Sequence, residues 1–332
     1  MNPPPTTLAQ AIARYLDEIH LARSKATTLA YRNALRAFAD CLRTRKLDPD
    51  TAACTDLPED AIAWFAEALK TYAPATEQQY LTAARGFYDY LVAENLAPLN
   101  LTRVQKLVRL RARKQGQRLP QFPQTDIEKM LGYAQELAAQ PATDERARLR
   151  NLRDRAFLLT LADTGLRVHE ACKLRRGDID WNEGRALLIG KGDKQAIVRF
   201  SARALKALRD YLAARAALDG ASGRPLPSLP LFARHDKGAA QKTKPITPTA
   251  GRDLVEQRVR ECLGEAAVGS ITPHAFRHYF VTTVLRGSGG NLKLAQELAR
   301  HTNISITQRY AHLSDDELDR GYAEIFEENL KR

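Results

Sequence analysis

Four short stretches in the second half of this chain of 332 residues hold side chains able to do chemistry. "TGLRVHE" presents Arg167 just after a helix that should end at Gly165, with Glu170 three residues further on. "GKGDK" puts Lys191 at the tip of an expected hairpin. "TPHAFRH" opens on Thr272 and Pro273, a usual helix start, and sets His274 and Arg277 three apart on one helical face. "RHTNISITQRYAH" places His301 nine residues before Tyr310. A tyrosine hydroxyl has a pKa of about 10 and is a poor nucleophile at neutral pH, so Tyr310 can react only if other groups activate it. Taken alone, it reads as a half-buried core residue.

Each of the other stretches also has a plain reading by itself. "GKGDK" is followed by a strand pattern where a phosphate-binding Walker loop needs a helix. His274 and His278 lie four apart, but the glutamate of a zinc-protease motif is missing and Arg277 stands between them. Cys41, Cys54, Cys172 and Cys262 are scattered without paired spacing, which suggests neither a metal site nor a disulfide framework and fits a reducing compartment. No acidic cluster of the two-metal nuclease kind is present in the sequence. The expectation is a site that uses no metal and no cofactor.

The elements that must carry these stretches follow from periodicity. Residues 1–105 read as a bundle of four helices, with Leu8, Ile12, Leu16 and Ile19 on one stripe and Leu35, Phe38 and Leu42 on another. Residues 106–123 read as a basic linker; Lys106, Arg109, Arg111, Arg113, Lys114 and Arg118 stand there without an acid, a run expected to stay extended unless it meets a polyanion. Residues 124–332 read as a second domain. It opens on a capping box of Thr125 and Glu128 and contains a hairpin of "RALLIG" and "QAIVRF". The fold class expected is mainly α with a small β-hairpin or sheet in the second, mixed α+β domain. A last helix, about 315–331, starts at a second capping box, Ser314 with Glu317, and lines Leu318, Tyr322, Ile325, Phe326 and Leu330 on one face.

The charge is as uneven as the domains. The chain carries +12 at a pI near 9.6, which points to a polyanionic partner, most often nucleic acid. Residues 1–105 hold 11 Lys and Arg against 12 Asp and Glu, and residues 106–332 hold 40 against 27, so the attraction resides in the second half. The N-terminal "MNPPPTTLAQ" lacks the cationic start and apolar run of a signal peptide, and no stretch has the apolar length of a membrane span. A cytoplasmic, nucleoid-associated protein with no membrane partner is expected.

Taken together, "TGLRVHE", "GKGDK", "HAFRH" and "ARHTNISITQRY" resemble, in order and spacing, the active-site set of the tyrosine recombinases, the family of lambda-type integrases and Xer-type recombinases. The resemblance covers roughly residues 120–315. The chain departs from the pattern at Arg300, where a small residue is usual before the last histidine, and at His169, where serine is frequent.

The resemblance implies a site-specific recombinase in which Tyr310 attacks a DNA phosphodiester to form a 3′-phosphotyrosyl intermediate, without ATP or metal. It implies that Arg167 and Arg277 clamp the phosphate, Lys191 protonates the leaving oxygen, His274 takes the Tyr310 proton and His301 donates to the phosphate. Glu170 would support the site from behind, orienting His274 or an arginine. The N-terminal domain would be a SAM-like core-binding domain closing with the second as a C-shaped clamp on double-stranded DNA. Lys25, Arg32, Arg109, Arg111, Arg113 and Lys114 are then candidate DNA contacts. The implied assembly is a homo-tetramer, or a hetero-tetramer with a paralogue, working through a Holliday junction, with the last helix docked on a neighbour. Two alternatives share the motif set: a type IB topoisomerase-like nicking and closing enzyme, and a DNA-binding relative without activity.

Overall fold

The computed structural model describes residues 6–113, 123–189, 195–236, 238, 243–301 and 303–308. The chain divides into two compact units, Met1–Gln117 and Arg118–Arg332.

The first unit is helical. Thr7 caps α1 (Leu8–Ala22) in a reciprocal box with Gln10, and Ser24 caps α2 (Lys25–Thr44). Helix α3 (Ala61–Ala68) is short, and α4 (Pro74–Ala93) starts on a proline that has no amide proton to leave unpaired. Their apolar stripes meet around Phe38, Phe65, Phe87 and Tyr88, all fully or almost fully buried. A fifth helix, α5 (Leu101–Arg111), capped by Asn100, occupies the first part of the expected linker. The charge run alone suggested an extended chain, but Val104 is buried in the bundle core and Leu107 and Val108 pack against it. Apolar residues at helical spacing within the basic run outweigh the repulsion of its exposed cations.

The end of α5 is fastened. Glu77 of α4 is almost wholly buried and is held by Lys70 at 2.7 Å and by the guanidinium of Arg113. The Arg113 amide also donates to Glu77 at 2.9 Å, and Lys70 donates to the carbonyl of Arg111. A carboxylate taken out of water needs this number of donors, and the surrounding cations keep its pKa below the ordinary range although burial pushes the other way.

The second unit builds on α7 (Glu145–Thr164), whose middle is buried from Ala156 to Ala162. It is preceded by α6 (Gln124–Glu136). The capping box expected from Thr125 and Glu128 does not form: Pro123 stands at the cap, the helix begins at Gln124, and Glu128 accepts from the Gln124 amide group at 2.8 Å. After α7 come α8 (Val168–Lys173) and a three-stranded antiparallel sheet in the order β1 (Ile179–Asp180), β2 (Arg185–Ile189), β3 (Gln195–Arg199). The expected hairpin is β2 with β3, in register from Arg185 opposite Arg199 to Ile189 opposite Gln195. The chain continues through α9 (Ala202–Ala214), α10 (Ala216–Gly220), α11 (Pro248–Leu263), α12 (Pro273–Gly287), α13 (Leu292–Ala299) and α14 (Ile304–Gln308). Among the described residues no helix is long and apolar enough to cross a membrane. The second expected capping box, Ser314 with Glu317, and the last helix at 315–331 lie outside the described residues.

Two ionic networks lock this unit. Arg258 of α11 sends Nε and Nη2 to Asp154 of α7 at 2.9 and 2.7 Å, Nη2 to Asn151 and Nη1 to Glu261, which also accepts from Tyr133 of α6. Arg215 and Asp219, both buried, pair with each other; Asp219 also pairs with Arg176, and Arg215 Nη1 donates to the Tyr211 hydroxyl. Removing one partner of such a pair leaves a charge stranded in the interior. Asp154→Ala should therefore lower the stability of this unit by about 3 kcal/mol. Urea unfolding followed through Trp181 in a Trp64→Phe background measures it, and a loss no larger than a surface substitution gives would contradict this account.

Candidate active site

The site starts where α7 stops. Gly165 adopts a left-handed conformation (φ +59°) that ends the helix and turns the chain into α8. A β-carbon here would lie 2.4 Å from the ring of Phe280, so the position demands glycine twice over. The turn delivers Arg167 to the cap of α8. There its amide donates to Glu170 Oε2 at 2.8 Å and its Nη1 to Oε1 at 3.1 Å. The Arg167 side chain is otherwise exposed.

Helix α12 brings the second arginine. Arg277 is 2% exposed, and its Nη1 and Nη2 donate to the carbonyls of Gly165 and Ala299. One guanidinium thus ties the end of α7 to the end of α13. Three residues before it, His274 is exposed and packs edge-on to His278 with ring centroids 4.3 Å apart. Partial desolvation of the ring by its neighbours, then the charge of Arg277 and that of Arg167, hold the His274 pKa below the ordinary range. His278 is pushed down to about 4 by burial, His274 and Arg277.

His301 follows α13 and is buried. Its Nδ1 lies 2.9 Å from Thr307 Oγ1 of α14. If the hydroxyl donates to Nδ1, the remaining ring proton sits on Nε2. Burial first, and then Arg277, Arg167, Arg300 and His274, push its pKa down to about 4, so the ring is neutral at pH 7.

Sequence reasoning did not place Arg300, and the fold does. Helix α13 ends in a Schellman turn: the amide of His301 bonds the carbonyl of Gln296, and that of Arg300 bonds the carbonyl of Glu297. The turn needs a left-handed residue before His301, and Arg300 takes that conformation at φ +58°. This is a physical reason for a small residue at the position, since a side chain costs about 1 kcal/mol there. The Arg300 side chain reaches Glu170 Oε2 at 3.2 Å and the carbonyl of Gly165 at 3.4 Å. Glu170 thus engages two arginines, Arg167 and Arg300. Its carboxyl is held below the ordinary range by the Arg167 amide, Arg300 and Arg167, against the upward push of burial.

Arg167, Glu170, His274, Arg277 and His301 therefore share one neighbourhood. Lys191 and Tyr310 lie outside the described residues, as does Lys114. Lys25 and Arg32 are exposed on α2 and Arg109 and Arg111 on α5, all within the first unit. Arg113, also expected as a DNA contact, pairs with Glu77, a buried carboxylate that needs a counter-charge.

The chain matches the phage integrase family over residues 121–317 and the N-terminal SAM-like domain of phage integrases over residues 12–95. It is 30% identical to tyrosine recombinase XerC of Treponema denticola over 302 residues, 90% of this chain and 92% of that protein. It is 33% identical to XerC of Pelobacter propionicus over 300 residues, 88% and 86% of the two chains. Its fold resembles the crystal structure of XerH site-specific recombinase in a post-cleavage complex with its substrate (TM-score 0.68, 18% identity, 96% of this chain and 84% of that one). It also resembles a lambda integrase dimer bound to a core site (TM-score 0.63, 17% identity, 92% and 96%).

The histidines make stability depend on pH. His235, at the Tyr211 network, is pushed down to about 3, and His278 and His301 to about 4, all below the value of about 6.5 they take when unfolded. The unfolded chain binds these protons first, so their contribution is fully present above pH about 6.5 and is lost as pH falls towards 4 and 3. Thermal melts between pH 8 and 4 should show Tm dropping below about 6.5; a flat profile would show that the rings are not held neutral.

Proposed function

This chain belongs to the phage integrase family, the tyrosine recombinases, whose members transfer DNA strands, and we propose that Tyr310 is its nucleophile. The reading is carried by one observation: two arginines and two imidazoles with lowered pKa values meet where α7 and α13 end and α12 begins. The Tyr310 hydroxyl attacks the phosphorus of a DNA phosphodiester, a 3′-phosphotyrosyl bond forms, and the bond to the 5′-oxygen breaks. The phenolic proton passes to His274, whose lowered pKa leaves it free to accept one. Lys191 gives a proton to the departing 5′-oxygen. A 5′-hydroxyl from another strand reverses the step, and the phosphotyrosyl bond conserves the energy that ATP would otherwise supply.

The transition state concentrates charge on the non-bridging oxygens. Arg167 offers them an exposed guanidinium, and Arg277 supports the cradle from its buried position. His301, protonated on Nε2 when Thr307 donates to Nδ1, is suited to donate a further hydrogen bond. The absence of a charge on it in the free protein leaves room for the arriving phosphate to draw its pKa upward.

Double-stranded DNA is the partner we infer, and the positive second half of the chain supports this. The first unit serves as the core-binding domain, with Lys25, Arg32, Arg109 and Arg111 as phosphate contacts. Four copies on two duplexes exchange strands through a Holliday junction, and residues 315–331, with their apolar stripe, link neighbouring copies. The protein works on cytoplasmic DNA.

The test is a trap. The chain is incubated with a library of nicked duplexes of randomised core sequence, and adducts stable to detergent are isolated and sequenced. Wild type should yield adducts enriched in one site, and Tyr310→Phe none. Lys191→Ala should cut ordinary DNA at least about 100-fold more slowly, in the range expected for general acid catalysis, and recover on DNA whose leaving group is a 5′-thiol that needs no proton. Adducts undiminished in Tyr310→Phe would sink the reading.

A further inference from the structure

Arg300 has no place in the chemistry just described, yet its side chain is only 12% exposed and turned towards the catalytic neighbourhood. Its position is anomalous on local grounds. The Schellman turn that closes α13 asks for a left-handed residue, which glycine adopts freely and arginine does not. A side chain kept in such a conformation is held there by what it touches. Arg300 touches the carboxylate of Glu170 at 3.2 Å and the carbonyls of Thr164, Gly165 and Leu298 at 3.4 to 3.5 Å.

Glu170 in turn holds Arg167 through both of its oxygens. A single carboxylate closed on a single guanidinium makes a neutral pair, and a neutral pair attracts a phosphate weakly. With Arg300 on Oε2 the trio carries one net positive charge. We infer that Arg300 is a positioning residue that offsets the charge of Glu170, so that Arg167 meets the scissile phosphate as a full cation while remaining oriented. Most of its donors point at backbone carbonyls, so it acts through Glu170 and Arg167 rather than on the DNA. The inference rests on the proposed function and adds to it a third arginine.

Glycine at position 300 separates this role from a merely structural one, because the turn itself accepts glycine. Arg300→Gly should therefore keep its Tm and bind the duplex selected by the trap within about threefold of wild type. Its single-turnover rate of adduct formation should fall at least about tenfold, the size expected when a charge-assisted contact is lost. Arg300→Lys, which keeps the charge but not the fork, should lie between the two. Glu170→Gln added to Arg300→Gly should restore the rate to within a few-fold of wild type, since no uncompensated charge then remains. Wild-type speed in Arg300→Gly overturns the inference, and so does a double variant as slow as the single one. If wild type itself forms no Tyr310 adduct, the function beneath falls and the inference with it; if wild type cleaves and the single variant matches it, the inference alone falls.

Discussion

The carbonyl oxygen of Gly165 is the point on which the second unit turns. It accepts from Arg277, whose guanidinium is buried and cannot be left without partners, and it lies within reach of Arg300. Through it the end of α7 is bound to α12 and α13, with the Ala299 carbonyl completing the bridge. The arrangement depends on glycine at 165: the left-handed turn exposes the carbonyl, and the missing β-carbon lets Phe280, three residues after Arg277, close over it. Arg167, His274 and His301 are placed by this junction because each stands within a few residues of one of the joined ends.

The same junction sets the electrostatics. Three guanidiniums and one carboxylate gather with histidines that burial and neighbouring cations keep neutral. Such a site is poised for an anion before one arrives. Its donors are held by helix ends and a half-buried ion pair, so little reorganisation accompanies binding, and preorganisation of this kind is usually the largest share of catalysis.

The first unit solves a different problem. Its residues 1–105 are nearly neutral, and Glu77, the one buried carboxylate among its described residues, captures Arg113 and Lys70 and so secures the chain as it leaves α5. Cations that appear in sequence as a uniform DNA-seeking run are divided by the fold. Arg109 and Arg111 remain exposed, whereas Arg113 pairs with Glu77.

Much of this was legible beforehand. Helical stripes such as Leu35, Phe38 and Leu42, the alternation of β2 and β3, the stop at Gly165 and the proline start of α12 are local patterns, written within one or two turns of chain. The motif set around Arg167, Glu170, His274, Arg277 and His301 was legible by order and spacing. What local pattern could not supply was partnership across the fold. Thr125 with Glu128 satisfied a capping rule, but the chain entering from Pro123 set the helix start. The charges of residues 106–113 read as a solvated linker until Val104 and Glu77 were seen to hold it. Arg300 read as an unexplained departure, and only tertiary structure revealed both the left-handed turn it occupies and the Glu170 carboxylate, 130 residues earlier, that it reaches. The sequence by itself determined which side chains exist and which helices and strands they favour, because those preferences act over a few residues. Which charges face each other was decided by the tertiary structure, because a buried ion takes its partner from whatever distant segment the packing brings within hydrogen-bond reach.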